Sequence, residues 1–129
     1  MDFEEYRSLI CNGLDSAIQV PFVVVALGDW RPGVGDCHRN VDRWVRRYPS
    51  HTFVRGWVTV ATDGGTGIFL THHSVVRGKD GCLFDITPIE NESIRKTMRF
   101  VPHIGSESEF FRFKDLVQVF LDCEMSCRP

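Results

Sequence analysis

The sequence has 129 residues, of which 43% are hydrophobic and 25% are charged, and its formal net charge at pH 7 is −2. This length predicts a single domain spanning residues 1–129, and the composition is typical of a globular chain rather than a disordered one. The slightly negative net charge argues against a nucleic-acid partner, since proteins that bind nucleic acids carry a basic surface.

Two features of the chain bear on its compartment. The first residues, Met-Asp-Phe-Glu-Glu, are acidic, whereas a secretory signal begins with a basic region followed by an apolar one. The longest apolar run, residues 20–27, is far shorter than the roughly 20 residues that span a bilayer. We therefore expect a cytoplasmic protein without membrane association, or one exported by a dedicated secretion system. Five cysteines without a secreted-type spacing favour reduced thiols.

The first half of the chain predicts two helices separated by an apolar segment and a loop. Apolar residues recur at near-helical spacing over residues 2–19, although Gly13 weakens or breaks that helix. Residues 22–27 are short and β-branched, which predicts a buried strand or an extended core segment. Residues 28–36 contain three glycines and a proline and form a loop. A second helix begins at Asp36 or Cys37 and runs to about Tyr48.

The second half predicts an antiparallel sheet. Residues 53–62 and 68–77 read as strands joined by a glycine-rich turn at residues 63–67. Residues 78–81 form a tight turn to a partner strand over residues 82–87. A polar connection at 88–96 leads to a further strand within 98–104. Ser106 and Glu109 fit a capping box that opens a last helix through Leu121. This order of elements is α+β, with the cysteine-bearing helix packed on a small antiparallel sheet.

Cys37 is the candidate nucleophile. It follows the glycine-rich loop at a predicted helix start, where unpaired backbone N–H groups favour a thiolate and can donate to an oxyanion. Asp36 is an unfavourable neighbour, because a carboxylate beside a thiol raises the thiol pKa. We expect Asp36 to be the helix N-cap with its carboxylate facing the backbone.

The candidate base and orienting acid are His73 and Asp85. Lys79-Asp80-Gly81 suits a three-residue hairpin loop with glycine in the left-handed position, which pairs Gly78 with Cys82 and continues to pair Val75 with Asp85. His73 and Asp85 then share one face as diagonal neighbours. A four-residue loop would favour His72 instead, which otherwise points to the opposite face beside Pro88. An aspartate beside an imidazole fixes its tautomer and stabilises the imidazolium.

Five short motifs resemble those of a protein family and support the choice of Cys37, His73 and Asp85. They are Cys37-His-Arg-Asn-Val41, Gly56-Trp57, His73-Ser-Val-Val76, Gly81-Cys-Leu-Phe-Asp-Ile-Thr-Pro88 and Arg99-Phe-Val-Pro102. Over roughly residues 34–103 the chain resembles a family of uncharacterised bacterial and phage proteins with the pattern C-H-x-N-V, G-W, H-[SA]-V and G-x-L-x-D-[IV]-T-P, followed by an F-x-P strand. That family brings no established activity.

The order of cysteine, histidine and aspartate also resembles papain-like and transglutaminase-like thiol enzymes, including NlpC/P60 peptidases, arylamine N-acetyltransferases and glutamine-deamidating toxins. The resemblance implies Cys37 as nucleophile, His73 as base and Asp85 as third member, acting as an amidase, deamidase or peptidase on a peptide or protein substrate. No glutamine lies just upstream of Cys37 to donate to an oxyanion, so His38 or Asn40 is the alternative donor. No motif for an acyl-carrier cofactor is present, so we expect no cofactor.

Two other interpretations remain open. The first is a zinc site built from Cys37, His38, Cys82 and only one of His72 and His73, since adjacent strand residues point to opposite faces. The second is a non-catalytic binding module on a thiol-enzyme-like fold. In that module Trp57, with Trp30 and Phe110–Phe113, lines a peptide groove, although the core is the more ordinary place for these side chains. The arginines of the second helix (Arg39, Arg43, Arg46 and Arg47) form a solvated face or meet an acidic protein.

Overall fold

The computed structural model describes residues 1–61, 68–117 and 120–121 of the protein, with the side chains of 61, 68, 116, 117, 120 and 121 left out. The predicted α+β class is confirmed. Three α-helices of the described residues pack on one face of an antiparallel sheet: α1 Phe3–Asn12, α2 Cys37–Arg47 and α3 Glu107–Val117. The strands are β1 Thr52–Ala61, β2 Ile68–Arg77, β3 Leu83–Phe84, β4 Arg99–Pro102 and β5 Phe120–Leu121. No helix in the described ranges has both the length and the apolar character needed to cross a membrane.

The centre of the sheet is the long hairpin of β1 and β2. Its antiparallel register runs from Thr52 opposite Arg77 to Ala61 opposite Ile68. The two predicted strands agree with it to within a residue, because successive side chains along both strands alternate between the two faces. The sheet order is β3-β2-β1-β4, and β5 also pairs with β2. The predicted turn at residues 63–67 and the predicted last strand residue, Thr62, lie outside the described residues.

The turn between β2 and β3 has the predicted geometry. Gly78 N donates to Cys82 O over 2.8 Å, and Gly81 has φ of +90°. A left-handed φ is strained for residues with a Cβ, so glycine stabilises this loop. The resulting register places Val76 opposite Phe84, as predicted.

β3 is shorter than the predicted strand over residues 82–87. Beyond Phe84 the backbone of Asp85 pairs on its other side, accepting from Val23 N and donating to Pro21 O, both over 2.8 Å. The ladder with β2 therefore ends at Phe84.

The N-terminal region departs from its prediction in two places. The first helix ends at Asn12 rather than near residue 19, because Gly13 stops it and Ile18 pairs with Phe100 of β4 through two backbone hydrogen bonds. A Cβ at Gly13 would lie 3.0 Å from Val101 Cγ1, so glycine lets the helix end approach β4 closely. The apolar segment at residues 22–27 is not a buried strand, since Val24 is 81% exposed.

The C-terminal part has the predicted cap and a shorter helix. Ser106 N donates to Glu109 Oε1 over 3.1 Å and Glu109 N donates to Ser106 Oγ over 3.2 Å, which is the predicted capping box. The prediction of helix through Leu121 is wrong, because Phe120–Leu121 pairs with Ile68 and Phe69 of β2 instead. The predicted polar connection contains a 3₁₀ helix, Glu92–Thr97, ahead of β4.

Alternation along the strands divides the core between the two faces of the sheet. One face buries a cluster that joins α1 and α3 to the sheet, which comprises Tyr6, Ile10, Cys11, Trp57, Leu70, Val101, Phe110 and Phe113. On the same face Val41 of α2 packs on Val76 and Ile86. The opposite face buries Val58, Val75, Met98 and Phe100. Burying one such side chain stabilises the fold by roughly 1.5–3 kcal/mol, so these contacts hold α2 firmly against β2.

Candidate functional site

His73 and Asp85 form a buried pair on the sheet face opposite α2. His73 Nε2 lies 2.7 Å from Asp85 Oδ2, and the two residues are 6% and 3% exposed. The turn register brings them together, because residues 73, 75 and 85 share one side of the pleat. The predicted proximity of these two side chains is therefore present in the fold.

Further hydrogen bonds fix the Asp85 carboxylate. Its Oδ1 accepts from Thr87 N over 2.9 Å, and its Oδ2 accepts from Arg95 Nη1 over 3.0 Å in addition to the imidazole. Arg95 also donates to the Thr87 carbonyl over 2.9 Å, and its guanidinium lies over the Phe22 ring. Arg95 was missed in the sequence, because an arginine in a polar connection carries no signal for a partner ten residues away.

Cys37 is the first residue of α2 and is 8% exposed. The first hydrogen bond of the helix runs from Asn40 N to Asp36 O, so the backbone N–H of Cys37 has no partner within the helix. Asp36 holds the N-cap position, but its side chain makes no capping hydrogen bond and instead lies 4.0 Å from Arg39 Nε. The prediction that this carboxylate faces the backbone is therefore wrong.

The thiol of Cys37 reaches both histidines of β2. A ring nitrogen of His72 lies within 4.8 Å of the sulfur, and His73 is close enough to lower the thiol pKa, although neighbouring strand residues point to opposite faces. The reason is the edge of β2, where β3 pairs at Val76 and Arg77 and β5 pairs at Ile68 and Phe69. Between these pairs no described strand covers the edge, and a side chain placed there contacts both faces. Only His72 of the two lies with Cys37 and His38 in a group of potential metal ligands, as the prediction that only one of them can join such a site requires.

These contacts favour the thiolate and the imidazolium. Burial raises the pKa of the Cys37 thiol, but hydrogen bonds from His38, His72 and His73 and the charge of His73 outweigh it and lower the pKa to about 4. Burial lowers the pKa of His73, but hydrogen bonds to Asp85 and Cys37 and their charges raise it to about 9. Since Nε2 of His73 faces Asp85, Nδ1 is the nitrogen that faces the thiol.

A second network of polar side chains lies on the α2 side of the sheet. His38 Nδ1 is 2.6 Å from Ser74 Oγ, and His38 Nε2 is 2.8 Å from His72 Nδ1. Arg55 is 6% exposed and donates from Nη1 to Ser74 Oγ over 3.0 Å. Its guanidinium is held in turn by the carboxylates of Asp42 and Glu107. Neither Ser74 nor Arg55 was anticipated, since their partners come from distant elements.

Asn40 and Trp57 have structural contacts rather than the predicted binding roles. Asn40 Nδ2 donates to Gly33 O over 2.9 Å and to Thr87 Oγ1 over 3.0 Å, which uses both amide hydrogens. It therefore fastens the glycine-rich loop to the region beside Asp85 and has no hydrogen left for an oxyanion. Trp57 is fully buried and donates from Nε1 to Tyr6 Oη over 2.9 Å, so it belongs to the core. Phe110 and Phe113 are buried with it.

The described cysteines differ in oxidation state. Cys37 and Cys82 are free thiols, whereas Cys11 is disulfide-bonded, which corrects the expectation of reduced thiols for that residue. The other two, Cys123 and Cys127, lie outside the described residues.

Cys37, His38 and His72 place one potential metal-ligating atom each within 4.8 Å of one another. Cys82, exposed in the turn before β3, is not part of that group.

A separate concave surface lies away from the thiol. A cavity of about 840 Å³ opens between the extended apolar segment, α2 and the turn before β3, and its lining includes Val23, Trp44, His51 and Phe84. The Arg43 guanidinium lies 4.8 Å from the centre of the Trp30 ring on the outer side of α2. Neither feature contacts the Cys37 thiol.

No family model, curated protein or solved structure matches this chain. The functional assignment therefore rests on the side chains of the site and their surroundings.

Proposed function

We propose that this protein is a cysteine-dependent hydrolase acting at an amide or peptide carbonyl, with Cys37 as nucleophile, His73 as acid–base and Asp85 as the orienting carboxylate. The observation that supports this most is the 2.7 Å contact of His73 Nε2 with Asp85, which leaves the other ring nitrogen for a thiol at a helix start. The same order of groups on a helix and an antiparallel sheet supports a papain-like or transglutaminase-like arrangement.

The first half of the reaction is acylation of the thiol. The Cys37 thiolate attacks the carbonyl carbon, an S–C bond forms, and the C=O electron pair moves to oxygen. His73 Nδ1 then gives its proton to the leaving nitrogen, the C–N bond breaks, and an amine or ammonia departs. Asp85 stabilises the imidazolium throughout and keeps the ring aligned.

The second half returns the enzyme to its starting state. Neutral His73 takes a proton from water, the resulting hydroxide attacks the thioester, and the S–C bond breaks to release a carboxylic acid. The unpaired backbone N–H of Cys37 at the start of α2 is the candidate oxyanion donor, because the helix dipole and this N–H both favour negative charge there. Asn40, with both amide hydrogens used, is left out of this role.

The substrate we propose is a peptide bond or the side-chain amide of a protein. Cys37 is 8% exposed and His73 is 6% exposed, which suits a narrow carbonyl group entering from the surface. Peptidase, amidase and deamidase activities share this first step and differ only in the group that leaves.

The test is the pH dependence of iodoacetamide labelling, in the presence of EDTA and read by mass spectrometry at each cysteine. A thiol whose pKa is about 4 is mostly ionised at pH 5 and above, so Cys37 should be labelled at nearly the same rate from pH 5 to 8. The rate of an unperturbed thiol rises about tenfold per pH unit below pKa ~8.5. Cys82, an exposed free thiol, is the internal reference.

His73→Ala should make the labelling of Cys37 strongly pH-dependent and slow it at pH 6. His51→Ala is the matched control, because His51 contacts Trp44 and lies outside the thiol site. If Cys37 reacts no faster than Cys82 at pH 6 and His73→Ala changes nothing, the hydrolase proposal is wrong and a non-catalytic binding module becomes the better interpretation.

A further inference from the structure

The thiol of Cys37 has a second set of partners that take no acid–base role in the proposed hydrolysis. His38 and His72 each place a ring nitrogen near it, and the three potential ligand atoms lie within 4.8 Å of one another. Both imidazoles lie on the α2 side of the sheet, away from the His73–Asp85 pair. The same sulfur therefore stands between an acid–base pair on one side and two further imidazoles on the other.

The two imidazoles face each other with one ring nitrogen from each within hydrogen-bond distance. His38 Nε2 and His72 Nδ1 are 2.8 Å apart, and the rings are stacked with centroids 4.9 Å apart. Two nitrogens bound tetrahedrally to zinc at about 2.0 Å lie roughly 3.3 Å apart, so a small separation of the rings would admit the ion.

Buried residues already orient the His38 ring. Its Nδ1 lies 2.6 Å from Ser74 Oγ, and Ser74 Oγ also accepts from Arg55 Nη1 over 3.0 Å. A serine oxygen can accept from both groups, in which case His38 carries its proton on Nδ1 and presents the Nε2 lone pair to the cluster. Histidines that bind metals almost always have their second nitrogen held by a hydrogen bond of this kind.

We propose that Cys37, His38 and His72 bind a thiophilic divalent cation, Zn²⁺ by the chemistry of its ligands, and that the bound ion blocks the thiol. One thiolate and two imidazoles select zinc over magnesium or calcium, which prefer oxygen ligands. Three protein ligands leave a fourth position for water or a substrate atom. Metal binding stands independently of the hydrolase, whereas the block on reactivity rests on the proposed function.

The test uses the full-length, tag-free protein after dialysis against chelator. Isothermal titration with Zn²⁺ should give one ion per chain, and Co²⁺ should give a thiolate-to-metal charge-transfer absorption. His38→Gln and His72→Gln should each weaken zinc binding by about 100-fold or more, since losing a ligand costs at least as much as losing an outer hydrogen bond. His51→Gln is the matched control and should bind zinc as the wild type does.

The outcomes separate the two proposals. His73→Gln should still bind one zinc ion while its Cys37 loses rapid labelling, and zinc should suppress the labelling of wild-type Cys37. Zinc binding that is equally tight in wild type, His38→Gln and His72→Gln, or a cobalt spectrum without the thiolate band, would overturn the metal site. Slow labelling of metal-free Cys37 together with tight, histidine-dependent zinc binding would reject the hydrolase alone.

Discussion

Asp85 is the residue on which the acid–base pair depends. Its two oxygens accept from the His73 ring, the Arg95 guanidinium and the Thr87 N–H, with all three distances between 2.7 and 3.0 Å. Because Arg95 binds the same oxygen as the imidazole, part of the carboxylate charge is already compensated. The carboxylate therefore acts on His73 through both its charge and a fixed direction.

Replacing Asp85 with Asn should separate these two effects. The amide keeps the shape but removes the negative charge, so the imidazolium loses stabilisation and the thiolate beside it becomes less favoured. We expect labelling of Cys37 at pH 6 to slow by about tenfold or more, since hydrogen bonds to charged groups contribute roughly 1.5–3 kcal/mol. The control is Asp15→Asn at an exposed position. An unchanged labelling rate in Asp85→Asn would show that the carboxylate charge has no role in thiol reactivity.

At the scale of elements, the site depends on how tightly β4 packs on β1. Gly56 of β1 lies opposite His73 of β2 on one side and opposite Pro102 of β4 on the other. A Cβ on Gly56 would lie 2.4 Å from Val101 O and 2.6 Å from Phe100 Cζ. Glycine is therefore required here by the close approach of the neighbouring strand.

Gly56→Ala should push β4 away from β1 and lower the free energy of unfolding by about 3 kcal/mol, at the upper end for overpacking. Urea denaturation followed by tryptophan fluorescence measures this change. Gly33→Ala is the matched control, because its Cβ would meet nothing within 4 Å, and it should change stability by no more than about 0.5 kcal/mol. Equal stability of the two variants would contradict the packing described for β4.

An element could be predicted where the residues that determine it are close together in the sequence. The capping box at Ser106, the turn at Gly81 and the alternation of β1 and β2 involve residues that are close in sequence, and each was predicted. The end of α1, the two-residue length of β3 and the pairing of β5 were not. Ile18, Asp85 and Phe120 instead form backbone pairs with distant segments, and local propensity carries no information about such partners.

For the molecule as a whole, the thiol–imidazole pair couples folding to pH. The pKa of Cys37 falls from 9.0 to about 4 on folding, so its stabilisation is present above pH 9.0 and is lost as pH falls through about 4. The pKa of His73 rises from 6.5 to about 9, so its stabilisation is present below pH 6.5 and is lost as pH rises through about 9. As pH falls from 9 to 6.5, the stabilisation from Cys37 decreases while that from His73 increases, so the two changes offset each other. Between pH 6.5 and 4 only the stabilisation from Cys37 still changes with pH.

We therefore expect this pair to make the free energy of unfolding fall from pH 6.5 to pH 4, with a slope approaching about 1.4 kcal/mol per pH unit. Cys37→Ser should remove this contribution, because the serine hydroxyl does not titrate in this pH range. Urea denaturation at several pH values, compared with Cys82→Ser, measures the difference. Parallel stability curves for wild type and Cys37→Ser would contradict the thiolate–imidazolium pair.

The sequence by itself determined the α+β class and the pairing of His73 with Asp85. Both follow from strand alternation and from a three-residue turn. Because each of these patterns involves only a few neighbouring residues, the sequence alone is sufficient to predict them. The same local rules marked Cys37 as the start of a helix.

Only the tertiary structure decided what surrounds the thiol. The docking of α2 on β2 joins residues far apart in the chain, and His38 and Ser74 are 36 positions apart. The uncovered edge of β2 then places one sulfur within 4.8 Å of a His72 ring nitrogen and close enough to His73 for that imidazole to lower the thiol pKa. The physical reason is that burial of Val41 against Val76 and Ile86 fixes the helix position, and no local pattern encodes that packing.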